Sequence, residues 1–355
     1  MRKSCLFSLA AAALATTLSF AAHAEKKDHF DICWTIYAGW MPWGYAGSAG
    51  IVDKWADKYG ISIEIHQLND YVESINQYTA GRFDGCSMTN MDALTIPAAG
   101  GVDSTALIVG DYSNGNDGVV LKGKGKTLAD IKGQPVNLVE LSVSHYLLAR
   151  ALDSVGLSER DIKVVNTSDA DIIAAFATPG VQATATWNPM LSDIAAQPDA
   201  SLVFDSSKIP GEILDLMVVN TETLKDNPAL GKALVGAWFE TLALMQAGTA
   251  ESTAALTEMA KASGTDLAGY QAQLAATRLF YTPAEAVELT TSASLPETMA
   301  KVAAFSFEHG LLGEGASDSE AIGMSFANGV VLGDEGNLKL RFDPTYVQMA
   351  ADGAL

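Results

Sequence analysis

FDICWTIY (Phe30–Tyr37), ISIEIHQ (Ile61–Gln67) and FDGCSM (Phe83–Met88) are the three runs that decide the fold. Each is a short apolar or alternating stretch of the kind that forms a buried or half-buried strand. Between the first two, Ile51, Val52, Trp55 and Tyr59 fall at helical spacing, and Gly60 stops the helix. Between the second and third, Tyr71 to Ala80 reads as a helix capped by Asn69 or Asp70. A β-α-β-α-β order implies a parallel, doubly wound sheet, because parallel neighbours must be joined by a crossover. Gly39-Trp40-Met41-Pro42-Trp43-Gly44, after the first strand, reads as a loop by its Gly and Pro punctuation.

Moving outward, Ala106 to Gly110 is strand-like, and the polar stretch Asp111 to Gly118 suits a crossover. The alternation then restarts. Strands are expected at Val119–Leu121, Pro135–Val139, Ile162–Asn166 and Val181–Trp187, with helices from about Ser144 to Val155 and at Ile172–Ala177. A second crossover is expected near 205–216. Leu216 to Asn220 is the last strong strand signal, and the chain is then mostly helical to about Leu312. The expected architecture is α/β with two lobes, each a doubly wound sheet with helices on both faces. Lobe 1 is discontinuous, 25–112 and 216–355, and lobe 2 is 113–215. The 355 residues suit two such lobes, and 48% apolar against 18% charged residues leaves ample material for their cores. A formal net charge of −20 argues against nucleic acid as a partner.

The first residues carry a separate message. Arg2 and Lys3 precede an apolar stretch from Leu6 to Ala22, and Ala22-His23-Ala24 places small residues at both cleavage-determining positions. This is the pattern of a secretory signal peptide, residues 1–24, and implies a periplasmic location. Cys5 would leave with it, and Cys33 and Cys86 would remain. They lie in the first and third strands, neighbours in the common 2-1-3 order, so a disulfide is open to them, as are two free thiols.

Ligands of such sheets bind outside the carboxyl ends of the strands, which turns the strand reading into a set of loops. These loops hold a single Lys or Arg, Lys208, against eleven acidic residues. An anion site would want Arg or Lys; carboxylates and aromatic faces suit a cation. Asp70, Asp169 and Asp171 read as helix caps, and Asp117 and Asp205 as turn-shaping residues. Asp92 and Glu140, which follow buried strands directly, are the expected ligand carboxylates. Trp40, Trp43 and Trp187 are expected to stack on the ligand, whereas Trp34, Trp55 and Trp238 follow strand or helix patterns and read as core. Asn90, Ser142, Ser144 and Asn188 would take remaining donors, with His145 beside them and Asp111 and Asp215 in reserve near the crossovers. No G-x-S-x-G, H-E-x-x-H, paired C-x-x-C or G-x-x-x-x-G-K-[ST] occurs, so a hydrolase, zinc or nucleotide-phosphate reading has no motif behind it. No cofactor or metal is expected.

Ala80-Gly81-Arg82-Phe83-Asp84-Gly85, Leu128-Ala129-Asp130-Ile131-Lys132-Gly133 and Trp187-Asn188-Pro189 resemble phrases of the periplasmic solute-binding proteins of taurine, sulfonate and nitrate ABC importers. Residues 39–44, Thr89-Asn90-Met91-Asp92 and Glu140 to Tyr146 resemble more closely the subgroup associated with urea carboxylase genes, connected with urea or guanidine. The resemblance implies a type II periplasmic-binding-protein fold. It also implies a non-enzymatic transport role, and ABC permease subunits as partners of a monomeric binding protein. Guanidinium is the expected ligand, with urea as its neutral competitor. The alternatives are an exported amidine or amide hydrolase, or the same binding role with a sulfonate.

Overall fold

The computed structural model describes residues 27–355, so the expected signal peptide and its cleavage site lie outside the described residues. Two sheets organise the molecule. The strands are β1 (His29–Thr35), β2 (Ser62–Leu68), β3 (Gly85–Thr89), β4 (Ser104–Ser113), β5 (Asp117–Lys122), β6 (Pro135–Leu138), β7 (Lys163–Asn166), β8 (Ala183–Trp187), β9 (Ala200–Asp205) and β10 (Leu214–Asn220). In the larger sheet β1 pairs in parallel with β2 and β3, and β10 lies antiparallel between β3 and β4. Beyond β4 the sheet continues through Leu338–Phe342, Gly323–Ser325 and Val331–Leu332, and Thr277–Leu279 also pairs with β4. The five-stranded sheet runs β7-β6-β8-β5-β9, with β5 antiparallel to both neighbours. Helices cover both faces, giving two α/β lobes.

The segment read as a Gly/Pro loop is instead a helix, α1 (Met41–Ser48), with Trp40 at its N-cap. Pro42 does not break it, because a proline in the first turn lacks only an N–H that has no helical acceptor anyway. Gly44 is not a turn residue either: a Cβ there would lie 2.3 Å from the Trp34 ring. It lets the helix approach the sheet closely. The same turn of α1 sends Trp43 inward, to stack on Trp238 with ring centroids 4.8 Å apart.

The first crossover is also shorter than its polar sequence suggests. β4 runs through Asp111 to Ser113 and β5 begins at Asp117, so both aspartates are strand residues, and both are buried. The strands after residue 220 escape a reading based on apolar runs because they are only 2–5 residues long. The clearest is LKLRF (Leu338–Phe342), which alternates and pairs in parallel with β4.

Further helices are α2 (Ile51–Tyr59), α3 (Tyr71–Thr79), α4 (Asn90–Ala93) and α5 (Val143–Ser154). Asp70 caps α3 by accepting the Glu73 N–H, Thr89 caps α4, and Ser142 caps α5. Cys33 and Cys86 face each other in the β1–β3 register and are joined by a disulfide, Cα–Cα 4.4 Å. Their sequence separation of 53 would stabilise the fold by about 4 kcal/mol on a chain-entropy account. Among the described residues no helix is long and apolar enough to cross a membrane.

Candidate functional site

The carboxyl ends of β1, β2, β3, β6 and β8 converge on a narrow cavity of about 10 Å³ between the two sheets. Tyr37 and Trp40 come from the turn after β1, and Tyr71 from the start of α3 after β2. Thr89 ends β3, Val143 starts α5 after β6, and Trp187 ends β8. Asp117 heads β5, Ile213 lies just before β10 and Asp215 is the second residue of β10, all beside the two crossovers. Four aromatic rings form a continuous wall. Tyr37 meets Trp40 edge-on at 5.1 Å, Trp40 lies 5.7 Å from Tyr71, and Tyr71 meets Trp187 edge-on at 5.5 Å. None of the nine lining residues is Lys, Arg or His.

The cavity is also acidic. Asp117 and Asp215 line the cavity, and Asp111 lies directly behind, opposite Asp215 in the β4–β10 register. Gly39 makes room for it: a Cβ there would stand 2.7 Å from Asp111 Oδ2. Asp92 sits on the other side, accepting from the Tyr71 hydroxyl at 2.6 Å and the Thr89 hydroxyl at 2.7 Å. Apart from the facing carboxyl of this pair, no side-chain or backbone donor among the described residues reaches either Asp111 oxygen or Asp215 Oδ2.

Such crowding keeps the carboxyls from ionising together. Burial pushes Asp117 up to about 7, the Ser113 hydroxyl opposing and the charge of Asp92 adding. Burial pushes Asp92 up to about 6, against hydrogen bonds from Tyr71 and Thr89. Burial, then Asp111 and then Asp117, hold Asp215 well above the usual range, and burial raises Asp111, with a hydrogen bond from the Asp215 carboxyl opposing and the charge of Asp117 adding. Burial and the same aspartates raise the Tyr37 phenol, which stays a neutral hydroxyl. A cavity built this way lacks a positive charge, and a cation entering it would let the aspartates ionise.

Of the residues expected from sequence, Trp40, Trp187 and Asp215 line the cavity, and Asp111 and Asp92 stand behind its walls. The others go elsewhere. Trp43 is in the core against Trp238. Glu140 is exposed, because a turn closed by Ser142 Oγ donating to Val139 O, at 2.7 Å, brings Val143 to the cavity instead. The expected clamp of Asp92 and Glu140 is therefore not formed. Asn90 ties down the second crossover, donating to Glu212 O and accepting from the Leu214 N–H. Ser142 is a helix cap, and Ser144 is buried beside it. Asn188 bonds Asn116 and Ser192. His145 turns away to Glu159.

Tyr37, Tyr71, Thr89, Asp117, Val143 and Ile213 were the lining residues missed. Asp117 had a signal: an acidic residue heads the apolar run Val119-Val120-Leu121, where a turn residue would sit outside the strand. Tyr37 and Tyr71 had none beyond their position at strand ends.

The sequence profile of the family described as NMT1/THI5 like matches residues 54–251, more than half the chain. A putative binding protein of Brucella abortus (strain 2308) is 23% identical over 198 residues, covering 54% of this chain and 60% of that protein. The chain thus matches about 60% of the length of that relative. A putative aliphatic sulfonates-binding protein of Escherichia coli (strain K12) is 38% identical over 84 residues, 24% of this chain and 26% of that one. Among solved structures, the alkanesulfonate-binding protein of Xanthomonas axonopodis pv. citri bound to MOPS superposes with a TM-score of 0.67 at 18% identity. It covers 82% of this chain and 96% of that one. The two-lobe α/β architecture is the periplasmic-binding-protein fold, as in that alkanesulfonate-binding structure.

Proposed function

The chain belongs to the NMT1/THI5-like family, and from that premise we propose that it is the periplasmic solute-binding component of an ABC importer, closing two lobes over a small planar cation of the guanidinium type and handing it to permease subunits. The observation that carries the ligand class is the cavity itself: two buried carboxylates, a wall of four aromatic rings and no basic residue in its lining. A buried cation must be paired, because desolvating it alone costs several kcal/mol. The N–H pairs of guanidinium match carboxylates bidentately, and its faces suit aromatic rings. Urea lacks the charge that would let Asp117 and Asp215 ionise.

A second reading has the relatives' names in its favour, since two of them are sulfonate-binding proteins. A sulfonate in this cavity would face Asp117 and Asp215 with no cation opposite it. A thermal-shift panel separates the readings. Guanidinium chloride should raise the midpoint more than urea, taurine or nitrate at equal concentration and ionic strength, and should remain chemically unchanged on long incubation. A larger shift with taurine or nitrate would replace the cation reading by the sulfonate one. Turnover of guanidinium would make the protein an enzyme.

A further inference from the structure

Away from the cavity, a second polar cluster joins the two lobes. His145 of α5 and Glu159, in the turn Glu159–Asp161 before β7, belong to the side of the five-stranded sheet. His309 caps the carboxyl end of the helix Ser294–Glu308, which packs on α4 of the larger sheet's side. Both histidines direct Nε2 at the Glu159 carboxylate, one at each oxygen. The cluster borders an open cavity of about 450 Å³.

The other ring nitrogens fix the protons. His145 Nδ1 accepts the Leu141 N–H at 3.1 Å, so Nε2 is the nitrogen that donates to Glu159. A metal would need that Nε2 free, so this trio is not a metal site as it stands. His309 Nδ1 lies 2.8 Å from the Phe305 carbonyl, which can only accept, while its Nε2 meets a carboxylate. Satisfying both contacts takes two protons, hence an imidazolium. Its surroundings agree: it caps a helix carboxyl end and its ring stacks on Phe305 at 4.0 Å. Burial raises the Glu159 carboxyl, but the hydrogen bonds from His145 and His309 outweigh it and bring it down to about 2. The remaining charges around the cavity are otherwise engaged. Arg150 and Lys301 are both bound to Glu212, Asp153 lies 3.6 Å from Arg150, and Glu308 is the chain neighbour of His309.

We propose that His309 and Glu159 form a proton-operated latch between the lobes: the imidazolium holds the closed form, and loss of its proton loosens closure and speeds ligand release. The latch rests on the reading of two lobes that close over a ligand, but not on which ligand. A histidine that gains a carboxylate on closing binds its proton more tightly closed than open. Closure is therefore favoured in acid and weakens as pH rises through the imidazole range. The cavity aspartates act in the opposite sense, since acid protonates them and weakens cation binding, so affinity against pH alone does not test the latch.

Two measurements on the ligand-free protein do. In an NMR titration of the His309 ring, Glu159→Gln should lower the midpoint by about one unit or more, a tenfold loss of proton affinity. In solution scattering, wild type should expand between about pH 5.5 and 8.5, whereas His309→Gln should expand less, the part that remains coming from the buried cavity aspartates, which in the ligand-free protein also favour the closed form in acid. An unmoved ring titration, or a His309→Gln protein that expands in parallel with wild type, would overturn the latch. Repeating the scattering with guanidinium chloride separates it from the ligand reading: no response to guanidinium with the latch signature intact faults the ligand alone.

Discussion

Trp40 and Trp43 are three positions apart in one helical turn and have opposite surroundings, one at the cavity wall and the other stacked in the core on Trp238. Their substitutions should separate accordingly. Trp40→Leu keeps bulk but removes the ring face, and should weaken guanidinium binding by about 0.5–2 kcal/mol, a factor of roughly 2–30 in Kd. Trp43→Phe should lower the thermal midpoint and leave the affinity within about twofold. Calorimetry beside thermal unfolding reads both. The buried aspartates make a further prediction. Asp92 and Asp117 are raised to about 6 and about 7, so between about pH 4 and 7 the native state holds protons that the unfolded chain has released. Stability of the ligand-free protein from this source is present in acid and falls as pH rises through that window. The thermal midpoint should drop from about pH 4.5 to 7.5, less steeply in Asp117→Asn. A parallel slope in the variant would show that Asp117 is not held protonated.

At the scale of elements, the interest of α1 is that propensity and packing disagree about Gly44. A helix interior favours Ala over Gly by about 1 kcal/mol, but here a Cβ would meet the buried Trp34 ring at 2.3 Å. Overpacking of that kind costs about 1–3 kcal/mol, so Gly44→Ala should destabilise, against the helix scale. The same conflict explains what could be read in advance. β1, α2, β2, α3 and β3 announce themselves because each carries its own period and its own stop, as with Gly60 and the Asp70 cap. α1 does not, because its Gly and Pro answer to the neighbouring sheet. Glu140 misled for a related reason: it follows β6 directly in sequence, but one turn with Leu141 at φ 64° moves the cavity position to Val143. Trp187 was legible as a strand-end residue and Asp215 as a reserve residue near a crossover; Asp117 read as a turn residue despite the apolar run behind it, because a crossover reads as a turn until its strands are seen to extend. The β1–β3 link is checked by thiol titration. The unreduced, unfolded chain lacking residues 1–24 should show no free thiol, and two would exclude the Cys33–Cys86 disulfide.

For the whole molecule, the two lobes meet at an acidic, aromatic cavity and at separate ionic contacts, Glu159 with His309 and Glu212 with Lys301. We propose that residues 25–112 with 216–355, and residues 113–215, move as the two lobes; the five-stranded sheet draws its strands from 117–205 alone, which supports that division. A ligand gripped from both sides shifts the population to the closed form only by its differential affinity for it, so saturating guanidinium should reduce the radius of gyration. The central claim is that this cavity selects a cation through its buried carboxylates. Its most direct test is a calorimetric titration of guanidinium chloride at pH 7.5 into wild type and into an Asp117→Asn, Asp215→Asn double variant, with taurine as the competitor. The account predicts saturable 1:1 binding to wild type, a loss of at least about 100-fold (about 2.7 kcal/mol) in the variant, and no displacement by taurine. Unchanged affinity in the variant, or displacement of guanidinium by taurine, would contradict it.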